Sequence, residues 1–160
     1  MRVLRHLLIP DWLARRAFPE KLLTDVEAAI AASEASHRGE VRFAVEGSLP
    51  LQFLSLTPRQ RAEQLFALLR VWDTAENSGV LIYVQLIDHA IEIVADRGIA
   101  TKVAQAEWDA ICRAMERDFS AGKFRDGSIE GLRKVTDLLA RHFPAGVQNT
   151  DELPNRPVVL

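Results

Sequence analysis

Apolar residues recur along this chain in two rhythms, and the switches between them mark out most of its elements. Leu23, Val26 and Ile30 follow Pro19 at spacings of three and four, which predicts a helix with one buried stripe. Val41, Phe43 and Val45 instead alternate with Arg42, Ala44 and Glu46, the period of a half-buried strand over residues 40 to 46. Between the two, Gly39 follows His37 and Arg38 and reads as a left-handed residue closing the helix. Thr57-Pro58-Arg59-Gln60 holds the residues of a capping box with proline at the first helical position. Ala62, Leu65, Phe66 and Leu69 carry that helix to about Arg70.

Val80 to Ile87 is apolar without alternation, the pattern of a central strand covered on both faces. Asp88-His89 then reads as a two-residue turn into a returning strand that holds Ile91 and Ile93 and ends at Ala95. Trp108, Ile111, Cys112, Met115 and Phe119 define an amphipathic helix; Ile129, Leu132, Val135 and Leu139 define the last, ending near His142-Phe143-Pro144. Two segments flank this domain of residues 20–144. Residues 1–19 form an amphipathic arm in which Leu4, Leu7, Leu8, Trp12, Leu13 and Phe18 alternate with Arg2, Arg5, Arg15 and Arg16. Packing of this arm on its own domain is the first expectation; residues 2–18 as a contact with another protein or a membrane surface is the second. Residues 145–160 have two prolines and no periodicity and read as an irregular tail. A helix between the first two strands favours parallel pairing, so the order predicts an α/β fold, a layered α/β sandwich around a small mixed sheet.

Bulk properties narrow the function classes. The 160 residues, 48% hydrophobic and 26% charged, suit a single soluble core. Twenty basic against 22 acidic residues leave a net charge of −2, which gives no phosphate-neutralising excess and argues against nucleic acid. A single cysteine rules out an internal disulfide, and its place on a helical stripe predicts an inert, buried thiol. No run of about 18 apolar residues is present to span a bilayer. The opening apolar stretch stops at Pro10 with no small-residue cleavage site after it, so a cytoplasmic location is expected, with a peripheral place at the inner membrane open to the arm. Oligomeric state is not legible.

Candidate chemistry lies in three polar clusters: Glu34 to Glu40, Asp73 to Gly79, and Asp96-Arg97-Gly98. Parallel pairing of the first two strands and a hairpin to the third would bring all three to one sheet edge. Glu34, His37, Glu40, Glu76, Asn77 and Asp96 then approach one another. Open α/β sheets more often bind ligands at the opposite edge, here Glu46-Gly47-Ser48 and Asp88-His89, but the polar clustering is given the greater weight. Carboxylates with an amide oxygen suit a hard divalent cation, calcium foremost, which takes about six to eight oxygen ligands. Zinc is disfavoured because no paired-histidine or cysteine spacing exists. The candidate metal ligands are Asp96, Asn77, Glu40, Glu34 and Glu76. Each has a plainer reading: Glu34 a solvated helix residue, His37 a helix-terminal charge, Glu40 a strand-edge residue, Asn77 and Asp96 turn formers. No nucleophile elbow and no phosphate-cradling glycine loop is present, so no catalytic residue is assigned.

At these residues the chain resembles the TPM domain family. The matching pieces are Glu34…His37-Arg38-Gly39-Glu40-Val41-Arg42-Phe43, Asn77-Ser78-Gly79-Val80-Leu81-Ile82-Tyr83-Val84, Ile91 to Ile99 with Asp96-Arg97-Gly98, and Trp108…Phe119…Gly122-Lys123-Phe124…Gly127…His142-Phe143-Pro144. The resemblance implies a compact α/β/α sandwich, binding of a divalent cation, and an acid-phosphatase activity attributed to plant members. Asp96 and the Asn77 loop fall at the shared motifs. Two functions follow as expectations. One is a cation-binding accessory or protein-interaction module. The other is a metal-assisted phosphomonoester hydrolase in which Arg97 or Arg38 neutralises charge and a carboxylate or His37 handles the proton.

Overall fold

The computed structural model describes residues 2–10, 12–146 and 151–160, with residues 13–15 described by backbone alone. Seven helices and four strands run in the order α1 (Arg2–Leu8), α2 (Trp12–Ala17), α3 (Glu20–Ser33), β1 (Glu40–Glu46), α4 (Pro58–Leu68), β2 (Gly79–Gln85), β3 (Ala90–Ala95), α5 (Arg97–Ala100), α6 (Gln105–Ser120), α7 (Phe124–His142) and β4 (Val158–Val159) among the described residues. The sheet order is β3-β2-β1-β4. The β1–β2 and β1–β4 pairs are parallel and β2–β3 antiparallel, a small mixed sheet as expected.

Alternation along the strands sorts the core into two layers. Val41, Phe43, Val45, Val80, Ile82 and Val84 face α3, α6 and α7, whose stripes (Val26 and Ile30, Trp108 and Met115, Val135 and Leu139) are buried there. Ala44, Leu81, Tyr83 and Val94 face the other way, onto Ala62 and Leu65 of α4. Each buried Val, Leu, Ile, Phe or Met side chain among these contributes about 1.5–3 kcal/mol, so the sheet holds in place helices whose stability comes mainly from packing of their apolar faces. The capping box of α4 forms as read: Thr57 Oγ1 accepts from the Gln60 amide and Gln60 Oε1 accepts from the Thr57 amide.

Several local expectations are corrected. Strand β1 is buried on both faces, because α4 and the C-terminal tail cover its polar side. The tail is not irregular throughout: Val158 and Val159 pair with Ala44 and Val45, and Leu160 bonds Val45 O and Gly47 N. An edge strand offers unpaired amides and carbonyls, and a β-branched Val-Val pair can satisfy them. Gly39 is not left-handed; helix α3 ends at Ser33, and the glycine is there because a Cβ would lie 2.5 Å from Leu139 Cδ2 and 3.1 Å from Ser78 O. The β2–β3 connection runs from Leu86 to His89, longer than two residues, with only His89 in the left-handed region.

The arm packs on the domain in an inverted sense. Buried His6 and half-buried Arg2 point inward, while Val3, Leu4, Leu7, Leu8 and Trp12 are exposed, Leu8 at 70%. Asp88 is the anchor: its carboxylate accepts from Arg2 Nε and Nη2 and from His6 Nε2, and His6 Nδ1 accepts from the Leu49 amide. Burial pushes the Asp88 carboxyl up, but the bonds from Arg2 and His6 outweigh it and hold the group below the usual range. Phe18 closes the arm by stacking edge-on with Phe119 and Phe124. The side chains of Leu13 and Arg15 lie outside the described residues.

Candidate functional site

The three polar loops do meet at the N-terminal edge of β1 and β2. Glu40 lies opposite Gly79 in register, and Ala95 opposite Val80, so the loops before β1, before β2 and after β3 share a rim. Arg38 Nε donates to Glu76 Oε1 at 2.6 Å, and Arg97 Nε donates to Asn77 Oδ1 at 3.1 Å. Asn77 has φ 50°, a left-handed position asparagine tolerates, and Gly98 packs beneath it so closely that a Cβ would sit 2.5 Å from Asn77 O. This crossing explains why glycine follows Asp96-Arg97. Asp96 itself caps α5, its Oδ1 accepting from the Arg97 amide at 2.7 Å, while its Oδ2 is buried without a hydrogen-bond partner.

Within the rim the candidate ligands fall into two groups. Glu76, Asn77 and Asp96 are engaged with Arg38, Arg97 and the start of α5. Glu34 and Glu40 come together with Asp151, a residue of the tail that sequence reading passed over. Oxygens of these three carboxylates lie within 4.8 Å of one another, and among the described residues no other group of three metal-ligating side chains does so. The tail brings Asp151 there by running alongside β1: the Glu152 amide donates to Glu40 Oε1, Glu152 Oε2 accepts from the Ala75 amide, and Arg42 donates to the carbonyls of Pro154 and Arg156. The apolar Leu153, Val158 and Val159 interleaved with these polar residues were the available sign that the tail is structured.

Electrostatics set Glu40 apart. It is 3% exposed, and its carboxyl is pushed up to about 7, first by burial and then by the charges of Asp151 and Glu34, with the Glu152 and Leu153 amides opposing. Glu34 is raised in the same direction by burial and by Asp151, against a bond from Asn155. The arginine nearest along β1, Arg42, gives its guanidinium to tail carbonyls. Three crowded acids, one of them almost fully dehydrated, form a donor set that fits a hard cation, which would take their combined charge and fill its shell with carbonyls and water.

His37 is fully buried, its Nδ1–H donating to Gly39 O at 3.0 Å, and burial holds its pKa below the ordinary value. It is a neutral structural residue bridging to Pro144, not a helix-terminal charge. On the far half of β1, Glu46 (2% exposed) takes a two-pronged bond from Arg61 and a 2.6 Å bond from Tyr83 Oη. Burial beside that carboxylate drives the Tyr83 phenol far above its ordinary value. The sequence marks Glu46 only as part of the alternative ligand edge; its pairing with Arg61 and Tyr83 joins residues from three separate elements, which no local pattern records. Cys112 is buried and its thiol is pushed up to about 12, first by burial and then by Glu92 and Glu116, as expected of an inert cysteine.

A three-layer α/β/α sandwich with an acidic, loop-built rim at one sheet edge is the class these observations define. The TPM domain profile matches residues 16–138, and the chain belongs to the TPM domain family. Its fold is similar to the NMR structure of BA42 from the psychrophilic bacterium Bizionia argentinensis, at 30% identity, with 88% of this chain and 93% of that one covered and a TM-score of 0.77. None of the curated proteins compared matches the chain. No helix among the described residues is long and apolar enough to cross a membrane.

Proposed function

We propose that this chain is a divalent-cation-binding TPM module, with calcium the preferred ion, acting as an accessory or interaction domain. The observation that carries the reading is the convergence of Glu34, Glu40 and Asp151 from three separate segments within 4.8 Å, one of them buried. Like charges held this close cost free energy in the metal-free protein, and a bound cation removes that cost. Because the tail supplies Asp151 and also zips onto β1, ion binding would tighten the seam between tail and sheet. Glu76, Asn77 and Asp96 stand on the same rim; through Arg38 and Arg97 they brace its loops.

Binding is favoured over phosphomonoester hydrolysis by how the rim's other groups are used. Arg38 is paired with Glu76 and buried His37 donates to Gly39 O, so neither stands ready to neutralise a phosphoryl group or move a proton, and Arg97 is held through Nε to Asn77 Oδ1. Calorimetric titration of calcium and magnesium into chelator-treated protein tests the reading, beside Glu40→Gln, Asp151→Asn and Asp96→Asn. Saturable binding that weakens strongly in the first two variants and little in the third is the expected result. Heat-silent titrations with no rise in melting temperature, or metal-dependent turnover of a generic phosphomonoester, would reject it.

A further inference from the structure

The opposite edge of the sheet holds a large cavity. It has a volume of about 830 Å³ and lies where the C-terminal ends of β1 and β2 meet the arm, lined at that edge by Gly47, Gln85 and His89. This is the place where open α/β sheets usually bind ligands, and the volume is that of a small-molecule pocket, within the usual range of about 300–1,000 Å³. It is independent of the acidic rim, which sits at the other end of the same strands.

Its lining is divided by chemistry. The inner wall is apolar, with Val84, Ile91, Phe119 and Phe124 from the sheet and the α6–α7 corner. The arm closes the remaining side and contributes two exposed arginines, Arg5 and Arg16. Neither makes an ion pair or a side-chain hydrogen bond among the described residues, whereas Arg2 on the same arm is bound to Asp88. Among the described lining residues the acid is Glu116, whose Oε1 accepts from the Ile91 amide at 3.1 Å. An apolar interior with guanidinium groups that have no acidic partner among the described residues suits a molecule with a hydrocarbon body and a single anionic head, because arginine binds carboxylate and phosphate through paired N–H donors.

We infer that this cavity binds a single-chain anionic amphiphile, its chain along Val84, Phe119 and Phe124 and its carboxylate or phosphate head between Arg5 and Arg16. The Asp88 anchor has a role here as well: by pinning Arg2 and His6 it seats the arm as the cavity's outer wall.

The test titrates the full chain with monomeric hexadecanoate, hexadecyl phosphate and hexadecanol, followed by calorimetry and by backbone amide shifts. Arg5→Gln and Arg16→Gln variants are run in parallel; both positions are exposed, so the fold is retained, as a thermal melt checks. Saturable one-to-one binding of either anionic amphiphile, with shifts at Gly47, Gln85 and His89 and about tenfold weakening in each variant, is expected. The two heads distinguish a fatty-acid ligand from a phosphate-headed lipid. Inorganic phosphate alone should shift nothing. Hexadecanol binding as tightly as hexadecanoate, affinity unchanged in both variants, or no binding to any monomeric amphiphile would overturn the inference. Binding confined to phosphatidylglycerol vesicles would do so too, since α1 turns Leu4, Leu7 and Leu8 outward and that result would place lipid on the arm's outer face.

Discussion

Replacing Glu40 by glutamine in chelator-treated protein should make the chain more stable, and only over a defined pH range. The Glu40 carboxyl stands at about 7 in the folded protein against an ordinary 4.5. Below about pH 4.5 it is protonated in both folded and unfolded chains and costs nothing. Between about 4.5 and about 7 the unfolded chain releases its proton while the native one keeps it, so stability falls as pH rises. Above about 7 both forms are ionised and the full loss remains. At about 1.4 kcal/mol for each pH unit of displacement, that loss is about 3 kcal/mol. Glutamine is nearly isosteric and its Oε1 still accepts from the Glu152 amide, so the variant escapes the loss while keeping the bond. Urea unfolding across this range measures it: the midpoints of wild type and Glu40→Gln should coincide at the acid end and separate by roughly 1–2 M above pH 7. Calcium should flatten the wild-type profile by holding the carboxylate ionised, and at about a hundredfold excess over Kd should add about 2.7 kcal/mol. The variant should respond far less. Parallel profiles for the two proteins, or a variant less stable than wild type at alkaline pH, would show that Glu40 is not under the strain described.

Other parts of the fold make separate predictions. Arg61→Met should cost about 3–5 kcal/mol in chemical unfolding, because it strands the buried Glu46 carboxylate, whereas Tyr83→Phe should cost only about 1.5–3 kcal/mol for one charge-assisted bond. Gly98→Ala drives a Cβ into the backbone carbonyls of Glu76 and Asn77 and should destabilise by at least about 2 kcal/mol. Gly131→Ala meets the flexible Met115 side chain and should cost less; equal losses by thermal melting would contradict this. Asp88→Ala removes the partner of both Arg2 and His6, so hydrogen exchange and limited proteolysis should show residues 2–10 released while the sheet stays protected.

Elements with strong periodicity were legible because their pattern depends on local geometry. The stripes of α3, α6 and α7, the capping box at Thr57 and the apolar run of β2 each obey a rule written within a few residues. The convergence of the Glu34, Asn77 and Asp96 loops was also within reach, since it needs only parallel pairing plus one hairpin. Which of those side chains share oxygens with one another was not. Arg97 takes Asn77 Oδ1 and the cap of α5 takes one oxygen of Asp96, while Asp151, which looks like tail, sits beside Glu40.

The remaining divide follows the range of the forces involved. Amphipathic period and capping chemistry are properties of neighbouring residues, and they determined the layers, the strand directions and the place where loops gather. Pairing of β4 with β1, burial of Glu46 under Arg61 and Tyr83, and the arm's inverted packing each join residues distant in the chain. Whether Glu40 meets water, an arginine or another acid depends on which segment fills the space above β1. That choice was made by the tail, through backbone bonds to Val45 and Gly47 that join segments distant in the chain.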